Sequence, residues 1–135
     1  GFIEAVLRSG HTPVLFTSRG ELHFGSGEAA AELRLIFGMQ LARVMARLVA
    51  SLVPQLGYVI SKGGITTGTL LRDGFDLSSV DLEGQLLPGL SLVLAMVGAD
   101  HSAEFSAALP VVTFPGNLGD PETLRQAWLL MEYGA

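Results

Sequence analysis

Two stretches of this chain share one design, an apolar run, a glycine-rich loop and then a helix-forming run. The first is YVISKGGITTGTLLRDGF (58–75) and the second is VVTFPGNLGDPETLRQAW (111–128). The chemistry such a design offers is anion binding. At the end of a strand, the loop turns backbone N–H groups and the positive end of a helix toward a negative ligand. Glycine permits positive φ and close backbone approach. Thr66 and Thr67 add hydroxyl donors, and Lys62, the one lysine in the chain, supplies a point charge. Two such loops on one sheet edge would cradle a nucleotide or phosphate, because ligands of open α/β sheets sit beyond the strand C-termini. The same pattern also serves ordinary tight turns, and pattern alone leaves the two readings level.

Other chemistries fit less well. GGITTGT has no Lys after its later glycine, so it is not a Walker loop. Gly25-Ser-Gly27-Glu-Ala-Ala30 matches G-x-G-x-x-A formally. It lies well after Thr17, and no Asp or Glu occurs between Glu32 and Asp73 to bind a ribose, so a helix-entry loop is the better account. His11, His23 and His101 share no metal-binding spacing with one another or with carboxylates. His23, in the Ser18–Gly27 loop, reads as surface. Ser26 opens a helix and is no nucleophile elbow. Asp73, Asp76, Asp81 and Glu83 read as solvated surface.

The elements that must position the loops follow from periodicity. Residues 2–9 read as a helix stopped at Gly10. The opening on Gly1 and the uncapped start at Phe2 suggest that further chain precedes it. Pro13–Thr17 reads as a buried strand. Glu28–Val53 reads as a long helix, with Leu33, Phe37, Leu41, Val44 and Leu48 at helical spacing and Pro54 as its stop. Tyr58–Ser61, Val80–Leu87, Leu90–Val97 and Pro110–Phe114 read as strands, with Pro88-Gly89 a turn between the second and third. Thr66–Gly74 reads as a short helix. Asp120–Glu132 reads as a closing helix, with Asp120 as N-cap and Pro121 at its first position. Strands alternating with helices predict an α/β layered domain whose sheet is largely parallel or mixed and flanked by helices. Residues 1–135 read as one domain.

Composition bounds the partners. Hydrophobic residues make up 49% and charged residues 16%, which excludes a disordered chain. Eight basic residues stand against 13 acidic ones, with no basic cluster, so no nucleic-acid partner is expected. There are no cysteines, which excludes disulfides and thiolate metal sites. The uninterrupted apolar runs are too short for a membrane span, and the N-terminus is not a secretory signal. A soluble, cytoplasmic protein without a membrane partner is the expectation, and the apolar composition favours self-association into a homo-oligomer.

KGGITTGTLLRDGF, then EGQLLPGLSLVL, then PVVTFPGNLGD, in that order, resemble the C-terminal nucleotide-binding domain of the four-carbon acid sugar kinases. The resemblance runs from about Pro13 to the C-terminus. The motif positions fall on Gly63, Gly64, Thr66 and Thr67, then Gly84, Gln85, Pro88 and Gly89, then Gly116, Asn117 and Gly119. The resemblance implies an ATP- and Mg²⁺-dependent kinase acting on threonate, erythronate or 3-oxo-tetronate-type acids. The ATP site it implies is lined by Gly63, Gly64, Ile65, Thr66, Thr67, Gly116, Asn117 and Gly119, and the middle motif is a structural turn. It names no catalytic residue and no metal ligand within this chain. Ile65 stands where many members carry Asp, and Phe114-Pro115 where many carry Lys-Ser. The chain has no Asp-Asp pair of the kind that opens the family's sugar-acid-binding N-terminal domain. It is thus expected to be most of the nucleotide half, with the acceptor contacts supplied by that other domain, and to be inactive alone. The alternative is a non-enzymatic module binding a nucleotide or another anion.

Overall fold

The computed structural model describes residues 1–17, 23–98 and 107–134. Part of the expected Ser18–Gly27 loop, and His101, lie outside the described residues. Four strands form one sheet: β1 (Val59–Lys62), β2 (Asp81–Leu87), β3 (Leu90–Val97) and β4 (Ala107–Phe114). Their spatial order is β1-β4-β3-β2. β1 runs parallel to β4, while β2–β3 and β3–β4 are antiparallel, so the sheet is mixed. The tight Pro88-Gly89 turn joins β2 to β3, and so short a link permits only an antiparallel pair.

Among the described residues four helices accompany the sheet: α1 (Phe2–Arg8), α2 (Glu28–Leu52), α3 (Gly64–Thr69) and α4 (Pro121–Tyr133). The period of two along β4 separates two cores. Leu109 and Val111, with Val93 and Ala95 of β3, pack against Ala46 of α2 and against Val53, Leu70 and Phe75. On the other face Val112 and Phe114, with Leu90, pack against Ala127 of α4. The layers are therefore helix, sheet, helix. After Thr69 the helical path widens into one π-turn, Leu70–Gly74. Gly74 lies so close to α2 that an added Cβ would stand 3.0 Å from the Ala46 carbonyl oxygen. That close approach explains why α2 turns Ala42 and Ala46 inward.

Two expectations need correction, and the packing of α2 adds a finding between them. Pro13–Thr17 forms no strand and stays on the surface, with Phe16 77% exposed. An apolar run becomes a strand only beside a partner edge, and among the described residues none is paired to it; Thr12 instead accepts a hydrogen bond from Trp128 Nε1 of α4 at 3.1 Å. The apolar stripe of α2 is not its buried face. Leu33, Phe37, Val44 and Leu48 are exposed, and the small residues Ala42 and Ala46 are buried in their place. Lastly, the helical stretch Glu28–Gln55 is long and apolar enough, by length and composition, to cross a membrane. Arg34, Arg43 and Arg47 break the apolar runs without making the whole stretch polar.

Candidate functional site

The two glycine-rich loops leave the C-terminal ends of β1 and β4, which are parallel neighbours with Lys62 in register with Phe114. Parallel pairing places both loops on one rim of the sheet. They touch there: the Gly63 N–H donates to the Phe114 carbonyl at 2.8 Å, and a Cβ added at Gly116 would stand 3.6 Å from Gly63 Cα. Lys62 fastens the loops together. Its Nζ donates to the Gly116 carbonyl at 2.8 Å and to the Pro115 carbonyl at 3.3 Å, and lies 4.6 Å from the centre of the Phe114 ring.

Gly63 caps α3 with φ 105°, a conformation that glycine adopts without strain. The first intrahelical bond is Thr67 N–H to the Gly63 carbonyl at 2.9 Å. The amides of Gly64, Ile65 and Thr66 precede that bond and point out of the helix start, where they can serve an anion. The Gly63 amide is committed to Phe114 and is not among these donors. Thr67 is buried, and its hydroxyl donates to Ser61 Oγ at 2.9 Å and to the Ser61 carbonyl at 3.2 Å, so it locks α3 to β1 and does not face the rim. Thr66 is half-buried and its Oγ1 lies beside Gly63. The Ile65 side chain is 62% exposed at the helix start.

The second loop is a tight turn closed by Leu118 N–H to the Pro115 carbonyl at 3.2 Å. Gly116 and Asn117 are exposed at its tip. Gly119 leads into α4, where the Asp120 carboxylate accepts from the amides of Glu122 at 2.9 Å and Thr123 at 3.1 Å. The middle motif supports this loop from below. Leu118 packs on the Pro88-Gly89 turn so tightly that a Cβ at Gly89 would stand 2.9 Å from Leu118 Cδ2. All three motifs thus meet in one region. Sequence reasoning missed Ser61, whose role is visible only once the pleat of β1 turns it inward, and the tie that Lys62 makes between the loops.

Among the described residues no cluster of His, Cys, Asp or Glu is placed to hold a metal ion. An open cavity of about 610 Å³ lies farther along α3, lined by Gly68, Leu71, Arg72, Asp76 and Ser78 among others, and includes neither glycine loop. Away from the rim, the Tyr58 hydroxyl donates to Glu132 Oε2 at 2.6 Å. Burial, then this bond to a carboxylate, pushes its pKa up to about 12.

Comparison with known proteins agrees with this arrangement. The model of the family described as "nucleotide-binding C-terminal domain" matches residues 1–124. Two crystal structures of a domain of unknown function (DUF1537) from Bordetella bronchiseptica, both with bound citrate and both domain-swapped dimers, are similar in fold. One matches with a TM-score of 0.61 and 21% identity over 97% of this chain and 29% of that one. The other matches with a TM-score of 0.52 and 26% identity over 67% of this chain and 22% of that one. This chain therefore spans less than a third of the length of that protein in either crystal. No curated protein matches it. The family match over nearly the whole chain, together with the paired loops at one sheet rim, shows that the chain belongs to the nucleotide-binding C-terminal domain family.

Proposed function

We propose that this chain is the ATP-binding part of a kinase that phosphorylates four-carbon sugar acids of the threonate, erythronate or 3-oxo-tetronate type. One observation carries the reading. The two glycine loops stand side by side at the ends of parallel strands, with Gly116 against Gly63 and the Lys62 ammonium between them. The kinase and its acceptor class rest on the resemblance of the three ordered motifs to the four-carbon acid sugar kinases.

Phosphoryl transfer asks a protein for positioning and charge stabilisation more than for covalent chemistry. The amides of Gly64, Ile65 and Thr66 hold phosphate oxygens, and the Thr66 hydroxyl adds a donor. Gly116, Asn117 and Gly119 let the nucleotide lie close to the backbone. Lys62 supplies positive charge beside Phe114-Pro115, where many sugar-acid kinases have a lysine of their own. Mg²⁺ arrives with the triphosphate, whose oxygens are its usual ligands. The acceptor site and the general base belong to a further domain of the full-length protein, which works in the cytoplasm. The domain-swapped dimer that the Bordetella protein forms in both crystals supports a reading in which this chain, too, pairs with a second copy.

The test is calorimetric titration of the chain with ATP and Mg²⁺, repeated with Gly64→Val. Nothing lies within 4 Å of a Cβ placed at Gly64, so the substitution intrudes on the anion and not on the fold. The expected result is saturable binding by the native chain and at least a tenfold loss in the variant. Equal binding by both would sink the cradle. Binding of inorganic phosphate as tight as that of ATP would favour a simple anion-binding module.

A further inference from the structure

We propose that Lys62 is a positioning residue for the nucleotide. It acts through the second glycine loop, where it holds two peptide planes so that the Gly116 and Asn117 N–H groups serve the phosphates. The proposal rests on the nucleotide reading above and names the donors that the second loop contributes.

The Lys62 ammonium is pinned from three directions. It donates to the Gly116 carbonyl at 2.8 Å and to the Pro115 carbonyl at 3.3 Å, and it stands 4.6 Å from the centre of the Phe114 ring. A lysine on the surface gives up its rotamer freedom only against contacts of this kind. The two carbonyls belong to successive peptides. In a planar trans peptide the N–H points opposite to the C=O. The Pro115 carbonyl therefore fixes the direction of the Gly116 N–H, and the Gly116 carbonyl that of the Asn117 N–H. With both carbonyls turned to the ammonium, both N–H groups point away from it. Neither donates to another described residue, whereas the next amide, that of Leu118, closes the turn on the Pro115 carbonyl at 3.2 Å. Successive backbone N–H groups turned to one side of a loop suit an anion. The loop tip is exposed and Gly116 lies against Gly63, so these two donors belong to the rim already described.

Glycine makes a lock necessary. Gly116 has no Cβ, so the peptides on either side of it rotate at little steric cost. A rotated peptide offers its carbonyl oxygen in place of its N–H, and the negative end of that dipole repels phosphate. Lys62 opposes the rotation with a charge-assisted hydrogen bond at each carbonyl. Charge alone would leave a different signature, a weaker complex in which the loop amides still meet the phosphates once the site is filled.

The experiment is titration of ATP and Mg²⁺ into the nitrogen-15-labelled 135-residue chain, followed by amide NMR, beside Lys62→Met and Lys62→Arg. Calorimetry gives affinity, and far-UV circular dichroism controls for folding. Lys62 is exposed and belongs to neither core, so both variants should fold. In the native chain the Gly116 and Asn117 amide protons should move downfield on binding. In Lys62→Met that movement should be lost even at saturating ATP, while the Ile65 and Thr66 amides still respond, with affinity down at least tenfold. Lys62→Arg keeps the charge and the donors, and should restore the movement and bring affinity to within about threefold of native. A native chain that binds no ATP would overturn the nucleotide reading and this proposal with it. ATP binding by the native chain with Gly116 and Asn117 unmoved would overturn this proposal alone. So would full movement of both amides in saturated Lys62→Met, which would leave Lys62 a source of charge and nothing more.

Discussion

Hydroxyl groups that look alike in the sequence do different work. Thr66 and Thr67 are adjacent, yet Thr67 is spent on Ser61 inside the fold while Thr66 stays beside the rim. Nothing in the string TT distinguishes them, because the difference arises from which way the first turn of α3 faces. Thr67→Val keeps the shape and removes the donor. We expect it to lower unfolding stability by about 1–2 kcal/mol in denaturant titrations, the usual cost of a buried hydrogen bond, while ATP affinity stays within about twofold. Tyr58 makes a separate prediction. Its pKa in the folded chain, about 12, lies above the ordinary tyrosine value of 10.0, so the folded state holds the proton more tightly than the unfolded one. The stabilisation is complete below pH 10 and disappears as pH climbs toward 12. Melting temperature followed across that window should fall for the native chain, and Tyr58→Phe should flatten this part of the decline.

At the scale of elements, the strands were legible where a run of β-branched and large apolar residues met turn residues, as in Tyr58–Ser61, Leu90–Val97 and Pro110–Phe114. The same rule misled at Pro13–Thr17, whose composition is right but which pairs with no strand edge among the described residues. The exposure of the α2 stripe was illegible for another reason. Periodicity locates an apolar face but does not say what lies against it, and here the close approach of Gly74 leaves room only for a small side chain at Ala46. The rim itself was half legible. Both glycine loops were visible as motifs, but their contact depends on β1 pairing with β4, which no local pattern encodes. The start of α4 was written in full: Asp120, Pro121 and Thr123 form a capping box in which the Asp120 carboxylate serves two amides. Asp120→Ala should cost about 1 kcal/mol, read as a melting temperature lower by a few degrees. Asp120→Asn or Asp120→Ser should recover most of it.

For the whole molecule, the described residues bring both glycine loops to one rim of the sheet, and the proposed function leaves the acceptor contacts to a further domain. We expect the 135-residue chain, given ATP, Mg²⁺ and four-carbon sugar acids, to release no phosphorylated product above background by coupled assay. Turnover by the chain alone would contradict the division of labour proposed for the full-length kinase. The order of strands carries a last consequence. β2 and β3 form a local hairpin joined by a tight turn, a unit that closes within microseconds. Val59 must instead find Val111 across the whole intervening chain, a long-range closure that is slow and entropically costly. The rim therefore comes into existence only when the last long-range pairing has been made. Competence to hold a nucleotide should lag behind most of the secondary structure during refolding, so the ligand reports completed assembly.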